Sequence, residues 1–218
     1  GKPKADLLAA RLRSINPEAE IEGVADRFSP ETCEGLMARG PDFIIDAIDH
    51  VTSKCFLIDY CRRTSRKMVV STGSGGRLDP TQVRVVDLGL TERDPLARAV
   101  RGILREKYGF PARGAFGIPS VCTFEPHRPP FSPTLPDFPL ENRHSVQKHT
   151  TGQPSPLPTS DFPPDPTDCK AGCLCPQGEN DFNSCTRKSV VLGTAAFVTG
   201  AFGLACASAA VKSLLEGR

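Results

Sequence analysis

Two carboxylates three residues apart, in Asp46-Ala47-Ile48-Asp49, close an apolar run of Phe43-Ile44-Ile45. Further on, Met68-Val69-Val70 leads into the glycine-rich turn Ser71-Thr72-Gly73-Ser74-Gly75-Gly76, and Asp79-Pro80-Thr81-Gln82 follows. A carboxylate can hold a hard cation that also binds phosphate, and glycines let a backbone approach a ligand closely. Open α/β sheets bind ligands outside the carboxyl ends of their parallel strands, where both segments would lie. The two usual phosphate-cradling patterns are missing. Gly73-Ser74-Gly75-Gly76-Arg77-Leu78 fails the dinucleotide fingerprint at its last glycine, and no GxxxxGK(S/T) occurs. If a nucleotide binds here, its phosphate loop is expected upstream of Gly1.

The elements that must hold these residues alternate helix and strand, the pattern of βαβ units. Pro3 suits the first position of a helix whose Ala5, Leu8, Leu12 and Ile15 share one face, ended by Asn16-Pro17. Glu20 to Val24 is expected to be a short strand. Ser29-Pro30-Glu31 caps a helix through Ala38. Phe43 to Ala47, continuously apolar before its carboxylate, is the expected central strand, buried on both faces. A helix lined by Val51, Cys55 and Ile58 should run to about Arg63, followed by the buried strand Met68 to Val70. Thr81 to Val86 sets Val83 and Val85 against Gln82 and Arg84, as a half-exposed strand does. Asp94-Pro95 opens an amphipathic helix to Tyr108.

The 218 residues, with net charge +2 and 39% hydrophobic content, suffice for one compact domain and hardly for two. Near-neutral charge excludes strong nonspecific attraction to nucleic acid or acidic membranes, so such contacts would need local patches. The chain opens on Gly1-Lys2-Pro3-Lys4, without Met or a basic-then-apolar leader, and reads as the downstream part of a longer protein. Residues 1–117 form the expected nucleotide-binding α/β portion. Thirteen of the 21 prolines fall between Ile118 and Asp168, a content that argues against long helices or central strands there, so 118–168 reads as a flexible insertion.

Nine cysteines without a secretory leader point to metal or reactive thiols before disulfides. In the loop 169–188, Cys169, Cys173, Cys175 and Cys185 lie beside Gly172, Pro176 and Gly178, and four thiolates would suit zinc. Their spacing is no tight pair of CxxC motifs, and four reduced thiols on a loop read equally well. Cys185 precedes Thr186-Arg187-Lys188, and cations beside a thiol raise its thiolate fraction, so it is the candidate nucleophile. A zinc ligand could not serve so without dissociating. The tail 189–218 is apolar. Its uncharged run Ser189 to Val211 is long enough to cross a bilayer, while its Gly, Ala, Ser and Thr content suits a close-packed core helix. Arg98, Arg101 and Arg105 share a helix face, and Arg62, Arg63, Arg66 and Lys67 cluster elsewhere. RNA backbone contact and a plain solvated face both fit them.

The order Gly1-Lys2-Pro3-Lys4-Ala5, Ile15-Asn16-Pro17, Asp46-Ala47-Ile48-Asp49, Lys54, Tyr60-Cys61-Arg62-Arg63, Thr72-Gly73-Ser74-Gly75-Gly76, Asp79-Pro80-Thr81, Asp94-Pro95-Leu96 and Phe202-Gly203 resembles that of the tRNA threonylcarbamoyladenosine dehydratases. These belong to the ubiquitin-activating-type, ThiF-like adenylating enzymes. The resemblance is close over residues 1 to about 126 and loose over 185 to 215. It implies a Rossmann-like ThiF-type α/β fold, incomplete at its N terminus and interrupted by the proline-rich insertion. It also implies ATP and Mg2+, activation of the carboxylate of threonylcarbamoyl-adenosine in tRNA, ring closure with net loss of water, and a homodimer. By position, Lys4 is similar to the lysine that neutralises ATP phosphates and Asp49 to the carboxylate that holds magnesium or nucleotide. Gly73, Gly75 and Gly76 shape the turn near the site. Asp46 reads as structural, accepting backbone hydrogen bonds at the strand end. His50 stands where many relatives have Asn or Ser and reads as a helix cap or a ligand contact. Cys185 is offset from a cysteine of some bacterial relatives. A second expectation keeps the fold but changes the substrate to the carboxyl terminus of a ubiquitin-like or sulfur-carrier protein, and a third is a noncatalytic remnant. The compartment, cytoplasm or organelle, and attachment to a membrane through 189–211 stay open.

Overall fold

A computed structural model describes residues 2–126, 128 and 193–216. Helices α1 (Lys4–Ile15) and α2 (Pro30–Met37) precede strand β1 (Ile44–Asp46), helix α3 (Val51–Arg63) and strand β2 (Met68–Ser71). Strand β3 (Val83–Asp87), helix α4 (Pro95–Tyr108), strand β4 (Pro119–Thr123) and helix α5 (Ala196–Glu216) complete the described elements. The sheet order is β1-β2-β4-β3. Strands β1, β2 and β4 run parallel, with Ile44 opposite Met68 and Val70 opposite Ser120. Strand β3 is antiparallel to β4, with Val85 opposite Val121.

Helices cover both faces of this sheet. On one side α2, α3 and α4 bury Cys33, Cys55, Ile58, Val70, Ala97, Val100 and Leu104 in one cluster. On the other, α5 lays Val198, Phe202 and Cys206 on Val69 and Val121. Each fully buried Val, Ile or Leu stabilises the fold by roughly 1.5–3 kcal/mol relative to exposure. Val69 and Val70 bury alternate faces of β2, so this strand, not β1, is covered on both sides.

Local chemistry starts and stops the helices. The Ser29 amide donates to Thr32 Oγ1 at 3.0 Å to open α2. Asp94 Oδ1 accepts from the Ala97 amide at 3.0 Å, Pro95 takes the first position of α4, and Gly109 ends it at φ 66°. That positive φ favours glycine, which has no Cβ to clash.

Five expectations are corrected. Among the described residues β1 has a ladder partner, β2, on one side only, and Ile45 is 49% exposed, so β1 is not buried on both faces. Residues 20–24 form no strand. The Ile21 carbonyl accepts from Arg13 Nε at 2.9 Å instead of from a neighbouring strand. Leu8, Leu12 and Ile15 of α1 are exposed, and Ala9 is its buried residue, because the helix packs on the chain near Gly23 and not on the sheet. Finally, the sheet continues past 117: β4 lies between β2 and β3 within the proline-rich stretch. Pro119 is tolerated because it occupies the first strand position, where a missing N–H costs least. Thr81 and Gln82 form a 3₁₀ turn, so the next strand begins at Val83.

Of the run expected as either core helix or membrane span, residues 196–211 lie in α5. It is the one described helix long and apolar enough to cross a bilayer, with a mean hydropathy of 1.5. Its Val198, Phe202, Cys206 and Ala210, spaced by four, are buried. Phe197, Leu204 and Val211 are exposed.

Candidate functional site at the carboxyl edge of the parallel strands

Asp46 and Lys54 fix the exit of β1. Asp46 Oδ1 accepts from the Ile48 amide at 2.9 Å, and Lys54 Nζ donates to the Ile48 carbonyl at 2.8 Å. The same ammonium lies 2.9 Å from Asp46 Oδ2, with both side chains at most 1% exposed. The carboxylate and the ammonium thus hold both polar groups of Ile48 while neutralising each other. Burial pushes the Asp46 carboxyl up from its ordinary value, and the Lys54 charge and the hydrogen bonds oppose that rise. The structural role expected for Asp46 is what the geometry shows. The next carboxylate, Asp49, is exposed and makes no hydrogen bond or ion pair among the described residues. His50 caps α3 through Nδ1, 3.3 Å from the Ser53 amide.

The neighbouring strand β2 ends at the same edge. Thr72 bonds the Val121 carbonyl through both its amide, at 3.0 Å, and its Oγ1, at 2.9 Å, locking this exit to β4. The Gly73 amide donates to Asp94 Oδ2 at 2.7 Å, and a Cβ at Gly73 would lie 3.1 Å from Asp94 Oδ1. Asp94 therefore joins the glycine turn to the start of α4. Gly75 and Gly76 form the turn, and Gly76 has φ 67°. Gly76 donates to the Gly193 carbonyl at 2.9 Å and accepts from the Arg128 amide at 3.0 Å, so one residue ties the approach to α5 and the exit of β4 together. Glu125 Oε2 accepts from the amides of Leu78 and Asp79, both at 2.8 Å.

Asp49 and the glycine turn thus follow adjacent parallel strands at one edge. Lys4 does not join them by any contact: it is the exposed first residue of α1, and no hydrogen bond or ion pair links it to Asp49 among the described residues. Cys169, Cys173, Cys175 and Cys185 lie outside the described residues. Among the described residues no three His, Cys, Asp or Glu side chains converge to hold a metal. Cys33, Cys55, Cys61, Cys122 and Cys206 are buried free thiols, and desolvation pushes Cys55, Cys61 and Cys122 up to about 11.

Sequence reasoning did not pair Lys54 with Asp46, nor see both roles of Asp94. The signal for the first was present: Lys54 and Ile58 are four apart on the buried face of α3, where a charge needs a partner. Arg77, 2% exposed, was also passed over. Its Nη2 donates to the Arg93 carbonyl at 2.6 Å, while Nε and Nη1 have no hydrogen-bond partner.

The class defined by this arrangement is an α/β protein with a mostly parallel sheet, covered on both faces, with Asp49 and the glycine turn at its carboxyl edge. The sequence matches the ThiF family over residues 1–217, and the chain belongs to that family. It is 40% identical over 129 residues to the tRNA threonylcarbamoyladenosine dehydratase of Haemophilus influenzae, covering 58% of this chain and 49% of the relative. The chain thus spans about half the length of that relative. The E. coli tRNA N6-threonylcarbamoyladenosine dehydratase in complex with AMP superposes with a TM-score of 0.67 at 29% identity, covering 98% of this chain and 65% of that one. Its complex with ATP gives 0.66 at 28% identity, over 98% and 64%.

Proposed function

We propose that this chain forms part of an ATP-dependent enzyme that cyclises threonylcarbamoyl-adenosine in tRNA by adenylating its carboxylate. The observation that carries this reading is the free Asp49 carboxylate beside the glycine turn at the carboxyl edge, in a chain that matches the ThiF family along nearly its whole length. A carboxylate is a poor electrophile. Attack of its oxygen on the α-phosphorus of ATP releases pyrophosphate and gives an acyl adenylate. Attack by the molecule's own carbamoyl group then expels AMP and a proton, so the nucleoside loses the elements of water.

This chain's residues would orient those partners. Asp49, an exposed and unpaired oxygen donor, fits a magnesium ion that keeps most of its ligands as water and phosphate. Such an ion neutralises charge developing on the phosphates. Asp46 and Lys54 hold the peptide from which Asp49 projects, and Gly73 and Gly76, whose amides are bonded within the protein, shape the turn in which Gly75 would let the nucleotide approach. Lys4 is proposed to reach the phosphates from α1. Zinc on Cys169, Cys173, Cys175 and Cys185 or, in its place, a covalent role for Cys185, together with a homodimer and a membrane contact through α5, belong to this reading as further proposals.

The test is ATP–pyrophosphate exchange by the intact polypeptide. Stimulation by tRNA carrying threonylcarbamoyl-adenosine is expected. Stimulation by a small carrier protein instead would move the substrate to that protein's carboxyl terminus, and exchange with neither would leave a noncatalytic relative.

A further inference from the structure

We propose that the groove between the start of α4 and the exit of β4 binds backbone phosphates of RNA. This rests on the function proposed above and deepens it by naming a surface that would receive the substrate. The groove has a volume of about 380 Å³ and is lined by Arg93, Pro95, Arg98 and Pro126. Pro126 follows the carboxyl end of β4, and Pro95 follows Asp94, which bonds the Gly73 amide. The groove therefore adjoins the glycine turn at the ligand edge of the sheet.

Among the described residues the groove's two arginines lack carboxylate partners, unlike several cations elsewhere. Arg39, Arg62, Arg63 and Lys54 each lie within ion-pair distance of a carboxylate. Arg93 and Arg98 are both exposed, and among the described residues neither has such a partner. Along α4, Arg101 and Arg105 continue the cationic face from Arg98 at helical spacing and also lack a carboxylate partner among the described residues, though both are half-buried and bond Thr91 Oγ1 and the Pro111 carbonyl. Mutual repulsion from Arg98 and Arg105 adds to burial in lowering the affinity of Arg101 for its proton. Two nearby carboxylates are committed elsewhere, and the exposed Glu92, beside Arg93 in the chain, forms no ion pair with it. Both oxygens of Asp94 accept backbone amides, and Glu125 is buried, with Oε2 on two amides and Oε1 3.6 Å from Arg128 Nε.

The backbone beneath the groove is shaped for this exposure. Arg93 has φ 56°, a left-handed conformation that is uncommon for a residue with a side chain. Its carbonyl accepts from buried Arg77, a guanidinium with two donors unmatched, while its own Nη1 reaches the Phe124 carbonyl at 3.3 Å. A further cation is thereby lodged below the lip of the groove. Two prolines on the walls add rigid surface without N–H groups, so the recognition offered is that of fixed guanidiniums. Guanidiniums bind phosphate oxygens in bidentate fashion, and contacts to phosphate carry no base preference.

The experiment is binding of tRNA to the intact polypeptide across a salt series, compared with Arg98→Gln, Arg93→Gln/Arg98→Gln and Arg98→Lys. Arg39→Gln, which removes a remote cation, controls for net charge. Each lost phosphate contact should lower the slope of log K against log salt by about 1, so the double variant should lose about 2. Arg98→Lys should keep the wild-type slope, and Arg39→Gln should leave it unaltered. Unchanged thermal midpoints show the variants folded. Wild-type tRNA binding with the same slope in the double variant overturns the inference and leaves the proposed function standing. If ATP affinity falls in Arg98→Gln while the RNA slope holds, the groove belongs to the nucleotide and the inference fails. Absence of tRNA binding by the wild type at low salt overturns both.

Discussion

Replacing Lys54 by Met tests how the exit of β1 is held. The side chains are similar in length, so the change removes the ammonium while filling most of its space. It leaves the Asp46 carboxylate, with a side chain 0% exposed, with one hydrogen bond from the Ile48 amide and no cation at 2.9 Å. The Ile48 carbonyl loses its donor as well. Breaking a buried pair by removing one partner costs about 3–5 kcal/mol, most of it from the charge left behind. At roughly 2–4 °C per kcal/mol for a domain of this size, the midpoint should fall by about 6–20 °C. Chemical denaturation of wild type, Lys54→Met, Asp46→Asn and the double variant completes a cycle, and the double should recover part of the single loss. The pH dependence follows from the sign of the Asp46 shift. Burial already raises its carboxyl above the unfolded value, and loss of Lys54 raises it further. A carboxyl whose folded value is raised is best tolerated protonated. The deficit of Lys54→Met should therefore be small below about pH 4 and grow as pH rises through the folded value. A deficit under about 1 kcal/mol at neutral pH, or one independent of pH, would refute the reasoning.

At Gly76, φ 67° and two backbone hydrogen bonds fix the turn. Gly76→Ala should cost about 1–2 kcal/mol in denaturant unfolding, more than an exposed Gly→Ala at negative φ. Asp94→Ala removes the acceptor for both Ala97 and Gly73 and should cost about 2 kcal/mol or more, whereas loss of an isolated cap costs about 1. The thiols of Cys55, Cys61 and Cys122, buried and pushed up to about 11, should resist iodoacetamide at pH 8 in the native protein and react in urea. Peptide mapping by mass spectrometry reads this directly, and native labelling at any of the three would contradict their burial.

Much of the α/β arrangement was legible because its signals are local. Ser29-Pro30, Asp94-Pro95 and Gly109 mark helix ends by side chain and backbone chemistry alone, and α2 and α4 begin or end where those residues place them. The position of a strand within a sheet is not local. Phe43-Ile44-Ile45 is as apolar as Met68-Val69-Val70, yet β2 is flanked on both sides and β1 on one. Residues 20–24 have strand-like composition but no ladder partner among the described residues. Pro119 misled for the opposite reason: proline density over fifty residues said nothing of Ser120 to Thr123, which carry the amides that pair β4. At the site, Asp46 and Asp49 were visible as a motif, but their different fates depend on Lys54, eight residues beyond Asp46. Burial decides which carboxylate is structural and which is free, and burial is a tertiary property.

The central claim is that the edge bearing Asp49 and the glycine turn is part of a magnesium–ATP site. Titration calorimetry of the intact polypeptide with ATP, with and without Mg2+, for wild type and Asp49→Asn, tests it most directly. The account predicts magnesium-dependent affinity in the wild type and its loss by at least tenfold in Asp49→Asn, about 1.4 kcal/mol, with the fold unaltered because the carboxylate contacts no other described side chain. Equal magnesium-dependent affinity in the two proteins, or no affinity in the wild type, would contradict it.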